Sequence, residues 1–182
     1  MPLVPTPQAL PGISGLFAFR PETGVPMRAL AQALLRGPSP LSPAERELIA
    51  TFVSSNNSCR FCTRSHGAVA RRLGDTDTVD AVLGGQAGAA GPKMQALLAI
   101  AEHVRGSVAP VPQALVDAAR SAGADDLALH DAVLIAAAFS MFNRYVEGLG
   151  AETPPEGPAY DAMAERLASQ GYLVQPKPGL PT

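Results

Sequence analysis

From residue 26 to residue 171 the chain repeats one punctuation. A proline or small polar residue is followed by apolar positions at helical spacing, and then by glycine. Proline suits the first turn of a helix and glycine the position just past its end, so each unit is a predicted helix. "PMRALAQALLRG" opens on Pro26 and closes on Gly37. "SPAERELIATFVSSNN" opens on Ser42, with Pro43 at the first helical position and Glu45 completing a capping box. "SCRFCTRSHGAVARRLG" has Ser58 as its N-cap and Gly74 past its end. "TDTVDAVLGG", "GPKMQALLAIAEHVRG", "VPQALVDAARSAG" and "PAYDAMAERLASQG" read as further helices. "DDLALHDAVLIAAAFSMFNRYVEGLG" is the longest and most apolar, and is expected at the centre. No alternating strand pattern and no repeat of solenoid period occurs. The predicted fold class is all-α, a bundle of about eight helices.

The ends differ from the middle. Pro2, Pro5, Pro7, Pro11 and Pro21 predict an extended, irregular arm over residues 1–25, too apolar for a solvated linker and expected to lie on the domain or on a neighbouring subunit. A single helical domain is expected over 26–172 and a loosely held tail over 173–182. With 182 residues, 47% hydrophobic and 16% charged, the chain can bury a core, and an ordered fold is expected. A formal net charge of −2 gives no reason to invoke nucleic acid or an anionic membrane. No uncharged apolar run reaches about 18 residues, so no membrane span is expected. The start carries no signal-peptide pattern, and a cytoplasmic location is expected.

The chemistry concentrates in "SCRFCTRSH", residues 58–66, which holds both cysteines and one of the three histidines. On a helix, Cys59, Cys62, His66, Val69 and Leu73 share one stripe, with Arg60, Arg64 and Arg71 opposite. Cys59 is expected in the first turn, where unpaired N–H groups and the helix dipole favour a thiolate. Cys62 is expected beyond that turn, in need of a base, and His66 at i+4 is the one its own helix supplies. Three readings compete. The cysteines could be inert core residues. They could be half of a zinc site, although such a site wants about four ligands and only His103 or His130 could complete it. The specific spacing favours the third, a redox dithiol. His103, near a helix end, and His130, four residues after Asp126, read as structural. Glu47, by periodicity alone, reads as a surface glutamate beside the apolar side formed by Leu48, Ile49, Phe52 and Val53.

Taken together, Glu47, Cys59-Arg60-Phe61-Cys62, His66 and "GAVARRLG" resemble the carboxymuconolactone decarboxylase superfamily. Within it they resemble the alkylhydroperoxidase D-like, peroxidase-related proteins, whose motif is a glutamate twelve residues before Cys-x-x-Cys-x-x-x-His. The helix carrying Asn143 and Arg144 resembles the family's long helix. The resemblance implies a homo-oligomeric all-helical protein and a thiol peroxidase that needs no haem, flavin or metal. It makes Cys62 the peroxidatic cysteine, Cys59 the resolving cysteine, and His66 with Glu47 the proton relay. The implied partners are a hydroperoxide substrate and a dithiol or thioredoxin-like reductant. Phe61 stands where alkylhydroperoxidase D has a histidine, so the implied relay is shorter. The rival functions are a general thiol–disulfide oxidoreductase and a non-catalytic redox-sensing oligomer.

Overall fold

A computed structural model describes residues 2–7 and 10–173, and among these it is helical without strands. Nine α-helices follow in order: α1 Ile13–Phe19, α2 Pro21–Arg36, α3 Pro43–Asn56, α4 Arg60–Leu73, α5 Thr76–Leu83, α6 Gly91–Gly106, α7 Gln113–Ser121, α8 Asp126–Gly148 and α9 Pro158–Gln170. A 3₁₀ turn, Ala87–Ala90, precedes α6. The capping box predicted for α3 is present: Ser42 Oγ accepts from the Glu45 amide, and a Glu45 carboxylate oxygen accepts from the Ser42 amide at 2.7 Å.

Two departures concern helix starts. Residues 13–25, expected to be irregular, form α1 and the first turns of α2, so Pro26 lies inside a helix. Proline removes the bond from residue 26 to the carbonyl of residue 22. Glu22 and Pro26 are both exposed, so water can take that carbonyl. The second concerns α4. Ser58 is not its N-cap but adopts φ of 59°, and Cys59 is the cap. The arm lies on the domain, with the Leu3 amide on Leu149 O at 2.9 Å and the Gly12 amide on Glu152 O at 2.8 Å. Gly12, at φ 57°, passes so close to Phe61 that a Cβ there would lie 2.2 Å from the ring. The tail beyond Leu173 falls outside the described residues.

The core has two parts. The larger gathers apolar side chains of α2, α3, α6 and α8, including Leu35, Ile49, Leu97, Ile135 and Phe139. The smaller gathers Cys59, Phe61, Cys62 and Val69 with Val146, Tyr160, Met163 and Leu167. Helix α3 is covered on nearly all sides, and Arg46 through Ala50 are all buried. Buried Arg46 donates to Leu34 O and Gly37 O, taking up the carbonyls left open at the end of α2. Helix α8 is long and apolar enough to cross a membrane by length and composition, but here it forms the centre of the bundle.

Candidate active site

The antiparallel pair α3 and α4, joined by the tight turn at Asn57–Cys59, sets Glu47 beside His66. Glu47 Oε2 accepts from His66 Nδ1 at 2.8 Å. The other carboxylate oxygen accepts from Tyr172 Oη at 2.6 Å and pairs with Arg36 at 2.7 Å. Glu47 is 0% exposed, which corrects the surface reading given by periodicity. That reading took α3 as one-sided, whereas α4 and α8 bury its second side as well. Burial alone would raise the Glu47 carboxyl. The charge and hydrogen bond of His66, the Arg36 charge and the Tyr172 hydroxyl outweigh it and hold the carboxyl below its ordinary range.

His66 is clamped by rings as well. It lies edge-on to Phe139 at 4.7 Å and is stacked on Tyr172 at 5.9 Å, 14° from parallel. With Nδ1 turned to Glu47, the second ring nitrogen is left for other partners.

Both cysteines are buried and unbridged. Because the helix starts at Arg60, Cys62 is its third residue and belongs to the first turn, not beyond it as the sequence predicted. The dipole therefore acts on Cys62 more than expected. It does not prevail. Hydrogen bonding with Cys59, burial and the Cys59 charge push the Cys62 thiol well above its ordinary value, with the Asn143 amide opposing them. These surroundings favour the neutral thiol at Cys62. No direct hydrogen bond joins Cys62 to His66 among the described residues. Instead both line one cavity of about 50 Å³, with Tyr172 and the rings of Phe61, Phe139 and Phe142. A second cavity of about 60 Å³ adjoins it, sharing Phe61, His66 and Tyr172 and extending to Arg28 and Arg166.

Three site residues escaped the sequence reading. Arg36 read only as part of a helix end. Tyr172 follows the last helix with no periodicity to assign it. Asn143 was noted only as part of the long helix. It is buried, donates to Ser54 Oγ at 3.0 Å and accepts from Asn57 Nδ2 at 3.0 Å, tying α8 to the turn that carries Cys59. The remaining histidines lie elsewhere. His103 bonds Ala109 O at 3.1 Å, and His130 bonds its neighbour Asp131 at 3.0 Å. His130 does not pair with Asp126, as the spacing had predicted, because Asp126 pairs with Arg120. Among the described residues no three His, Cys, Asp or Glu side chains converge as a ligand set.

The family model described as the carboxymuconolactone decarboxylase family matches residues 21–103, a stretch containing Arg36, Glu47, both cysteines and His66. No curated protein matches the chain. The solved structures similar to this chain include two that each cover 85% of it and 80% of their own length. One is the alkylhydroperoxidase AhpD core of an uncharacterized peroxidase-related protein from Ralstonia eutropha JMP134, at 28% identity and a TM-score of 0.75. The other is an uncharacterized peroxidase-related protein from Silicibacter sp. TM1040, at 27% identity and a TM-score of 0.71. The family match, these likenesses and the all-helical architecture support a carboxymuconolactone decarboxylase superfamily, alkylhydroperoxidase D-like protein.

Proposed function

We propose that the protein is a thiol peroxidase that reduces hydroperoxides through Cys62 and Cys59. The observation that carries this reading is the buried Glu47–His66 pair, whose histidine lines one cavity together with Cys62. The peroxidase-related neighbours agree with it. A hydroperoxide in that cavity meets the Cys62 sulfur while His66 takes the thiol proton, directly or through the bound oxygen. Sulfur attack breaks the O–O bond, Cys62 becomes a sulfenic acid, and the proton passes to the departing alkoxide to give an alcohol. The Cys59 thiol then displaces water from the sulfenic acid and forms the disulfide. A dithiol or thioredoxin-like reductant restores both thiols by exchange and is itself oxidised.

Burial favours this order over general thiol–disulfide exchange as the first step. Cys59 is 0% and Cys62 3% exposed, so a small peroxide can reach Cys62 through the cavity more readily than a protein disulfide can. The same burial requires the cover over the pair to open, or the dithiol to be small, for the reducing step. We also propose a homo-oligomer. Helix α8 presents Leu127, Leu134 and Met141 to solvent on one stripe, an apolar face of the kind that subunits cover. Turnover of hydroperoxide at the expense of a dithiol, lost in Cys62→Ser, tests the central reading. Dithiol oxidation that proceeds equally without peroxide would replace it with a general oxidoreductase.

A further inference from the structure

We infer that Tyr172 is a positioning residue of this site, fixing His66 in the tautomer that leaves its second ring nitrogen free for Cys62. The argument is a count of protons. Tyr172 Oη carries one hydrogen and lies 2.6 Å from Glu47 Oε1, to which it donates. Its oxygen lone pairs then face His66 Nδ1 at 3.2 Å. His66 Nδ1 therefore meets two acceptors, Glu47 Oε2 at 2.8 Å and the Tyr172 oxygen, and must itself bear the hydrogen. Arg36 completes the arrangement by occupying the same Glu47 oxygen that Tyr172 holds, which leaves Oε2 for the imidazole. Burial and the Glu47 charge keep the phenol protonated, as a donor must be.

The chain is built to deliver this side chain. After α9, Gly171 turns at φ 70°, and a Cβ there would lie 2.4 Å from Gln32 Oε1. That same oxygen accepts the Tyr172 amide at 2.7 Å. The Tyr172 ring stacks on His66 and lies 5.2 Å from the Arg36 guanidinium. It packs against both parts of the core, so a residue at the far end of the chain closes the seam over the pair. Other groups that can act on His66 are Cys62 on its own helix and, around the adjoining cavity, Arg28 and Arg166. Helix α8 presents the uncharged rings of Phe139 and Phe142 to the inner cavity.

The test compares full-length wild type with Tyr172→Phe, which keeps the ring and removes only the hydroxyl. Nitrogen-15 NMR of the reduced protein reads the His66 tautomer. Iodoacetamide alkylation of Cys62 in a Cys59→Ser background, followed across pH, reads the base. The inference expects an Nδ1–H signature in wild type and a mixture in Tyr172→Phe. It also expects alkylation at pH 7 to slow about 3- to 10-fold, the net scale of one ordinary hydrogen bond, with a displaced acid limb. The difference should vanish in a Glu47→Gln background, because Tyr172 acts through that carboxylate. An unchanged tautomer and pH profile, or an equal loss with Gln at position 47, would overturn it. If Tyr172→Phe does not fold, Gly171→Ala, which strains the turn and keeps the hydroxyl, is read the same way. Neither readout needs peroxide. If both respond as expected while no hydroperoxide is consumed, the peroxidase reading fails and this inference stands.

Discussion

Glu47 and His66, 19 residues apart in the chain and on different helices, meet at 2.8 Å, with the carboxylate fully buried. A carboxylate in that position is stabilised only by its partners, and all of them are donors: His66, Arg36 and Tyr172. The relationship has consequences for stability as well as for chemistry.

Glu47→Ala should destabilise the fold by about 3–5 kcal/mol, because it leaves the Arg36 guanidinium without its partner carboxylate in a largely buried place. Chemical denaturation measures this. A loss below about 1 kcal/mol, the scale of an exposed pair, would place the interaction in solvent.

The pair also sets an acid limit. The Glu47 carboxyl is held below its ordinary value of 4.5 in the folded state. Its contribution is therefore complete above that value and is lost as pH falls toward the lowered one. Urea midpoints in wild type should fall below about pH 4.5, and Glu47→Gln should flatten that slope. Equal slopes in the two proteins would assign acid sensitivity to other groups.

The cysteines should behave unequally. Peroxide should reduce the titratable thiols of the denatured protein from two to none per chain. Cys59→Ser should still consume one equivalent and leave a trappable sulfenic acid, whereas Cys62→Ser should not. Equal reactivity in both variants would reverse or abolish the assigned roles.

Oligomeric state tests the surface argument. Light scattering at micromolar concentration should return a multiple of the 18.8 kDa chain mass, and Leu134→Lys on the exposed α8 stripe should lower it. A mass of one chain for the unaltered protein would leave that stripe without a subunit to cover it.

How much of this was legible in the sequence depends on the kind of signal. Helix α8 and the caps at Ser42 and Gly74 follow from local chemistry, and the structure has them. The start of α2 was missed because Pro26 imitates an N-terminus five residues after the real one at Pro21. The register of α4 slipped by one because Ser58, a good cap by type, adopts a left-handed conformation while Cys59 takes the capping place. That slip moved Cys62 into the first turn. Glu47 could not be found by periodicity, because a helix buried on both sides has no polar face; only the family motif pointed to it. Arg36, Asn143 and Tyr172 reach the site through tertiary packing, for which their local sequence carries no sign.

The claim that joins these parts is that His66, held by Glu47, is the base for a Cys62 thiol whose environment opposes ionisation. The most direct measurement is the rate of Cys62 oxidation by hydroperoxide, with and without His66→Ala, from pH 6 to 9. General base assistance predicts that the substitution slows oxidation at pH 7 by about 10²–10⁴-fold. The Cys62 thiol lies well above its ordinary value of 9.0, so most of that defect should persist at pH 9, where hydroxide has only begun to replace the base. Glu47→Gln should give a smaller loss of the same kind. A His66→Ala protein that oxidises at the wild-type rate across the whole range would contradict the account.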